Sequence, residues 1–219
     1  MSTLVGASHL DLDGYDRLSN LLKYLKPTVI GIEETMEDFE ETSNLVKTLS
    51  DPQIFEKALA NARKQFPEAN QETLRLWLSA IHYENKIISE YSATNNVPIM
   101  YCDNLEELKK VDFDSEAKKT DSSLNRAIEA FLRQTPEEAR LDIRREYLKS
   151  EYLVKDCEDL TAFYQARDQH TEKVLRSQTG DIVYVCGLDH IFGDYHPNLF
   201  DRLSNLNPRK MKLSEADKL

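Results

Sequence analysis

The sequence predicts an α/β protein: a central, mostly parallel sheet of four to five strands flanked by helices, with a helical insertion between strands. Three observations carry this expectation. Short apolar runs at 3–8, Thr28–Ile32, Val97–Tyr101 and Ile182–Cys186 lead into polar or acidic residues, as buried strands running into loops do. Long stretches with apolar residues at helical spacing separate the runs. The first strand, helix and second strand fit within ~30 residues, the size of a βαβ unit, whose strands run parallel.

In order, the strand at 3–8 precedes a helix that Asp13 is expected to cap, with Tyr15, Leu18, Leu22 and Leu25 on its apolar face. Pro27 ends it, because the residue before a proline leaves helical space easily. The second strand ends in Glu33-Glu34. Residues 35–50 are acidic and poorly patterned, so an irregular or weakly helical segment is expected. Asp51-Pro52 is a cap followed by proline at the first helical position, and a helix should run to about Phe66. Asn70 should cap a longer helix to about Thr94, with Leu74, Trp77, Leu78, Ile81 and Ile88 inward. The third strand, Val97–Tyr101, closes in Cys102-Asp103. Charged residues 104–121 suggest a short helix and a mobile surface loop, and Leu124, Ile128, Phe131 and Leu132 mark another helix. Thr135-Pro136-Glu137-Glu138 is a capping box that opens a long helical stretch to about Ser177, with a break near Lys155–Asp159 where the pattern loses phase. After the fourth strand, a helix is expected at Asn198–Leu206, then a short edge strand at Met211–Leu213 and a frayed tail.

The 219 residues read as one domain, with helical segments at about 51–94 and 121–178 packed on the sheet or forming a lid. A net charge of −11 argues against nucleic-acid or anionic-membrane partners, which need clustered Lys and Arg. No apolar run approaches the ~18–20 residues of a membrane span, and no secretory leader is evident, so the expectation is a cytoplasmic protein. Cys102, Cys157 and Cys186 are far apart and in no CxxC pair, which fits reduced core thiols. Self-association is left open.

The chemistry concentrates at strand ends. Gly6-Ala7-Ser8-His9 and Gly187-Leu188-Asp189-His190 each follow an apolar strand, and the glycines are expected to turn the chain sharply, aiming His9 and His190 into one crevice. Imidazole suits a divalent transition metal or proton transfer near neutral pH. If the two instead serve unrelated roles, they should lie more than ~10 Å apart, beyond any shared ion with bonds of ~2 Å. Of Glu33 and Glu34 only one should enter the crevice, because strand side chains alternate. Two histidines and one carboxylate with an open position form a catalytic metal set. Arg167-Asp168 could hold a carboxylate or bind an oxyanion. Asp103 ends the third strand on the same side, Asp189 lies inside the second GxxH, and His170 is placed to share the helix face of Arg167. His196 lies just past the glycine loop, and His82 reads as a packed or surface histidine. Asp16-Arg17-Leu18-Ser19-Asn20-Leu21 recurs as Asp201–Leu206, an echo that suggests approximate internal symmetry. The GxSxG, HExxH, GxGxxG and GxxxxGK[ST] motifs are all missing, so serine-hydrolase, zincin and nucleotide-binding readings have no motif support.

This order of motifs resembles the TraB/Tiki superfamily, which includes erythromycin esterase and ChaN-like proteins. The resemblance rests on Gly6–His9, the strand ending in Glu33, Val97–Asp103, Arg167-Asp168, and Gly187–His190 followed by Gly193. It implies an α/β fold and a metal-dependent hydrolase acting on a peptide, amide or ester bond of a small-molecule or peptide substrate. By match, His9, His190 and Glu33 would hold a divalent metal ion and Arg167 would assist. It equally implies an alternative: a non-catalytic protein that binds a ligand, haem or peptide in the same crevice. Ala166 stands where the TraB branch often has Glu before the arginine.

Overall fold

The computed structural model describes residues 2–103, 125–152 and 158–219. Five strands, β1 (Ser2–Ala7), β2 (Val29–Ile32), β3 (Ile99–Tyr101), β4 (Ile182–Gly187) and β5 (Arg209–Lys212), form one all-parallel sheet in the order β3-β2-β4-β1-β5. Every residue of β4 up to Cys186 is buried because β4 sits between β2 and β1 with both faces covered. Alternation along it feeds two cores. Val183 and Val185 join Val5, Ala7, Ile30 and Ile32 on one face, while Ile182, Tyr184 and Cys186 join Leu4 and Met100 on the other.

Helices α1 (Gly14–Leu25), α2 (Met36–Leu49), α3 (Pro52–Gln65), α4 (Gln71–Ala80), α5 (Tyr83–Asn95) and α6 (Pro136–Leu148) supply buried residues to the first core. Leu18, Leu22, Leu59, Leu74 and Ile88 are fully buried there. Residues 125–132 are helical and contribute Phe131 and Leu132. Helices α7 (Glu158–Arg176), α8 (Leu188–Phe192) and α9 (Leu199–Arg202) pack on the second face through Leu175, Ile191 and Leu199. The sheet is therefore sandwiched, as the sequence predicts.

Several local expectations are corrected. Residues 36–49 form a regular helix despite their weak pattern, because the Thr35 hydroxyl accepts from the Asp38 amide and acidic Glu37 and Asp38 sit at the positive helix end. The helix expected over 70–94 is two: Ile81 leaves helical space and His82 adopts a left-handed conformation at φ 59°. The helix from 136 ends at Leu148, before the expected break near Lys155–Asp159, most of which lies outside the described residues, and helix is described again from Glu158 to Arg176. Asp13 makes no capping bond; its carboxylate accepts from Arg140 Nε at 3.1 Å instead. Chain end 213–218 is not frayed but 3₁₀-helical, with Leu213 fully buried and Asp217 pairing Arg17 at 2.8 Å. The sequence echo is not a structural repeat: 16–21 lies in α1, whereas 201–206 is split between α9 and a 3₁₀ turn. The expected segment at 104–121 lies outside the described residues, as does Cys157. Cys102 and Cys186 are free and buried.

Candidate functional site

Neighbouring strands β2, β4 and β1 place three of the expected residues at one sheet edge. Glu33 directly follows β2, His9 lies two residues past β1, and His190 sits in α8 immediately after β4. From β2 the chain leads outward to β3, and from β4 it leads back across β1 to β5, so the carboxyl ends of these two strands flank a topological switch point. The glycines work differently from the expectation. Gly6 lies within β1, and Gly187 has φ −57°, so neither supplies a left-handed turn.

The buried half of the site is an ion cluster. Glu33 Oε1 pairs with Arg167 Nη1 at 2.7 Å and accepts from His190 Nε2 at 3.0 Å. Its Oε2 accepts the Gly187 amide at 2.8 Å. Arg167 Nη2 donates to Asp103 Oδ2 at 2.5 Å, so the guanidinium ties the ends of β2 and β3 to α7. His190 Nδ1 donates to Asp168 Oδ1 at 2.5 Å, and the Tyr195 hydroxyl donates to Asp168 Oδ2 at 2.6 Å. Asp168 is completely buried and His190 is 2% exposed. With a carboxylate at each ring nitrogen, His190 is an imidazolium: burial works against its charge, but Glu33 and Asp168 outweigh that and push its pKa up to about 9. Burial likewise opposes ionisation of Glu33, yet His190 and Arg167 hold its carboxyl well below the usual range. The Tyr164 ring stands edge-on to His190 at 4.7 Å, and its hydroxyl donates to Asp189 Oδ2 at 3.0 Å.

His9 forms the open half. Its side chain is 67% exposed, and Nδ1 donates to Glu84 Oε1 at 3.0 Å. Desolvation on its inner side opposes the charge, but Glu84 outweighs it and raises the imidazolium pKa to about 9. The backbone before it is clamped. The Ser8 amide donates to the Tyr147 hydroxyl at 3.0 Å, and the Tyr83 hydroxyl donates to Ser8 O at 3.1 Å. Gly14 is needed beneath Tyr83, since a β-carbon there would lie 2.4 Å from the ring. Glu34 points away from the cluster, as alternation requires, and accepts from Asn85 Nδ2 at 2.7 Å. Burial and the nearby Glu84 and Asp38 raise its pKa to about 7, against the Asn85 bond.

Between the halves is a small space beside Gly187. A methyl group on Gly187 would sit 3.6 Å from His9 Nε2, 3.7 Å from Glu33 Oε2 and 3.8 Å from His190 Cδ2. The two imidazoles thus border one space, well inside the ~10 Å that would separate unrelated roles.

The expected metal set fits this arrangement poorly. His190 Nδ1 and Nε2 face Asp168 and Glu33, and Glu33 Oε1 is shared between Arg167 and His190, so of these two side chains only Glu33 Oε2, which also accepts the Gly187 amide, is left toward the space. Among the described residues, no group of three His, Cys, Asp or Glu side chains is placed to hold a metal ion. Arg167, matched to an oxyanion role, is committed to Glu33 and Asp103.

Asp103, Asp168 and Asp189 join the site. His170 is half-buried on α7, and His196 is exposed and pairs with Asp201 at 2.7 Å. Sequence reasoning missed Glu84, Tyr164, Tyr195 and the clamping tyrosines. One signal was present: His82-Tyr83-Glu84-Asn85 is a polar run interrupting the apolar rhythm from Leu74 to Ile88. No family model, curated protein or solved structure matches the chain. Among the described residues, no helix is long and apolar enough to cross a membrane.

Proposed function

We propose that this crevice hydrolyses an ester or amide bond, the reaction class the TraB/Tiki resemblance implies, but with His9 as general base in place of a metal ligand. The space bordered by His9 Nε2 and Glu33 Oε2 is the observation that carries the reading. A water placed there can offer one proton to each acceptor, which leaves a lone pair for attack on an acyl carbon. In the forward step the water oxygen bonds to that carbon and its proton passes to His9 Nε2. The tetrahedral adduct then expels the alcohol or amine, which takes the proton back from His9. Arg167 and His190 keep Glu33 ionised and fixed throughout. Glu33, Asp103 and Asp168 against Arg167 and His190 leave one net negative charge beneath the space. That favours neutral or cationic substrates over phosphorylated ones.

The test is turnover of a panel of neutral and cationic p-nitrophenyl esters and peptide amides by the wild type, His9→Ala and Gly187→Ala, with and without EDTA. Turnover lost in both variants and indifferent to EDTA supports the reading. EDTA-sensitive turnover with a stoichiometric metal would instead favour the form in which His9, His190 and Glu33 hold a divalent ion. Tight binding of panel compounds without turnover would favour the binding-protein alternative.

A further inference from the structure

Three consecutive residues at the start of α5 reach the ends of two strands of the site, β1 and β2. Tyr83 bonds Ser8 O, Glu84 bonds His9 Nδ1, and Asn85 bonds Glu34. Successive helical residues point ~100° apart, so one turn can serve three targets only if it begins above the sheet edge. The left-handed His82 sets that start. A non-glycine residue is disfavoured in this conformation, and the bonds made by the next three residues offset that. Glu84 itself is buried and lies in the first turn of a 13-residue helix, where the helix dipole favours a carboxylate.

We propose that Glu84 is the positioning residue of the reaction: it holds the His9 proton on Nδ1, so that the Nε2 lone pair faces the space beside Gly187. An ionised carboxylate can only accept, so the 3.0 Å contact requires a proton on Nδ1. The free nitrogen of the neutral ring is then Nε2, the atom 3.6 Å from the position of a Gly187 methyl. Glu84 thus supplies from the inserted helices what a buried Asp supplies to the base of a catalytic triad. Neither GxxH unit contains it, and it lies 75 residues from His9. The inference rests on the hydrolase reading for its consequence, but not for its geometry.

Two measurements separate the two. The first uses ¹⁵N-labelled protein at a pH where His9 is neutral, with one- and two-bond ¹⁵N–¹H correlations to locate the ring proton. The proton should be on Nδ1 in the wild type, and Glu84→Gln, which keeps the size of the buried side chain, should shift population to the Nε2–H form. A wild-type proton on Nε2 overturns the proposal, whether or not any substrate is turned over. The second is steady-state kinetics on a substrate that the wild type hydrolyses. Glu84→Gln should lower kcat by about 10- to 100-fold, the usual cost of losing a residue that orients a functional histidine. KM should stay within about threefold, and Glu84→Asp should recover part of kcat. An unchanged kcat in Glu84→Gln, beside the loss in His9→Ala, overturns the proposal. Absence of turnover on the whole panel counts against the hydrolase reading, and the tautomer alone then decides the role of Glu84.

Discussion

The two histidines stand in matching GxxH units on adjacent strands, and each has a carboxylate at Nδ1, yet they differ in burial and in what faces Nε2. His190 is 2% exposed, with carboxylates at both ring nitrogens. His9 has a 67% exposed side chain, with a carboxylate at Nδ1 and its Nε2 beside an open space. A sequence motif therefore specifies where a side chain starts, not what it does. The neighbours decide, and they come from opposite layers: Asp168 and Arg167 from α7 on one face of the sheet, Glu84 from α5 on the other. Half of the site is a fixed charge lattice and half is open to a reactant.

The sharpest break in this comparison is in stability. Asp168→Ala leaves the buried His190 without one counter-charge and is expected to cost about 3–5 kcal/mol, read from the urea midpoint. His9→Ala removes a pair of which only the histidine is exposed, and it leaves Glu84 at a helix start that favours a carboxylate, so it should cost clearly less than Asp168→Ala, while abolishing turnover. Equal costs would mean that the two halves are alike.

Second in size is the pH dependence. The folded-state pKa of His190, about 9, lies above its ordinary 6.5, so its contribution is complete below about 6.5 and is lost as pH rises through about 9. Glu33 has the opposite sign: its contribution is present above its ordinary 4.5 and is lost as pH falls below that. Wild-type stability should decline at both ends, and Asp168→Ala should flatten the alkaline decline. His9 must be neutral to act as base, so kcat/KM should rise with pH toward about 9.

Gly187→Ala follows. Its φ of −57° suits alanine and the added methyl makes ordinary contacts, so unfolding free energy should change by less than about 1 kcal/mol. Turnover should nevertheless be lost, because the methyl fills the space between the two histidines. The smallest effect is expected for Glu34→Gln. The raised Glu34 pKa means that its contribution falls as pH rises from 4.5 through about 7, so at about pH 8 the variant should match or slightly exceed wild-type stability, by less than about 1 kcal/mol. A clear loss there would show that the Asn85 contact needs the charge.

Much of the lattice half was legible. The unbroken apolar run of β4 marks a central strand, and alternation after β2 separates Glu33 from Glu34. The matched positions of His190 and Arg167 then converge because β2 and β4 are neighbours. The open half was not legible beyond His9. Glu84 acts only because the helix breaks at His82, and helical spacing carries Leu74 and Ile88 straight across that break. Its bond to His9, like the Tyr147 bond to Ser8, spans a sequence distance that no local pattern encodes. Tyr195 was hidden for another reason: a tyrosine beside glycine and aspartate reads as a turn residue until Asp168 is found beneath it. The tail after β5 looked frayed because its anchor, Arg17, lies two hundred residues away.

The division of labour between the histidines is tested most directly by ¹⁵N NMR of the wild-type imidazoles across pH. His190 should carry protons on both nitrogens through about pH 8 and exchange them slowly, while the Nε2 proton of His9 exchanges rapidly with solvent. A His190 ring that titrates near its ordinary 6.5, or loses its protons to solvent as fast as His9, would contradict the account.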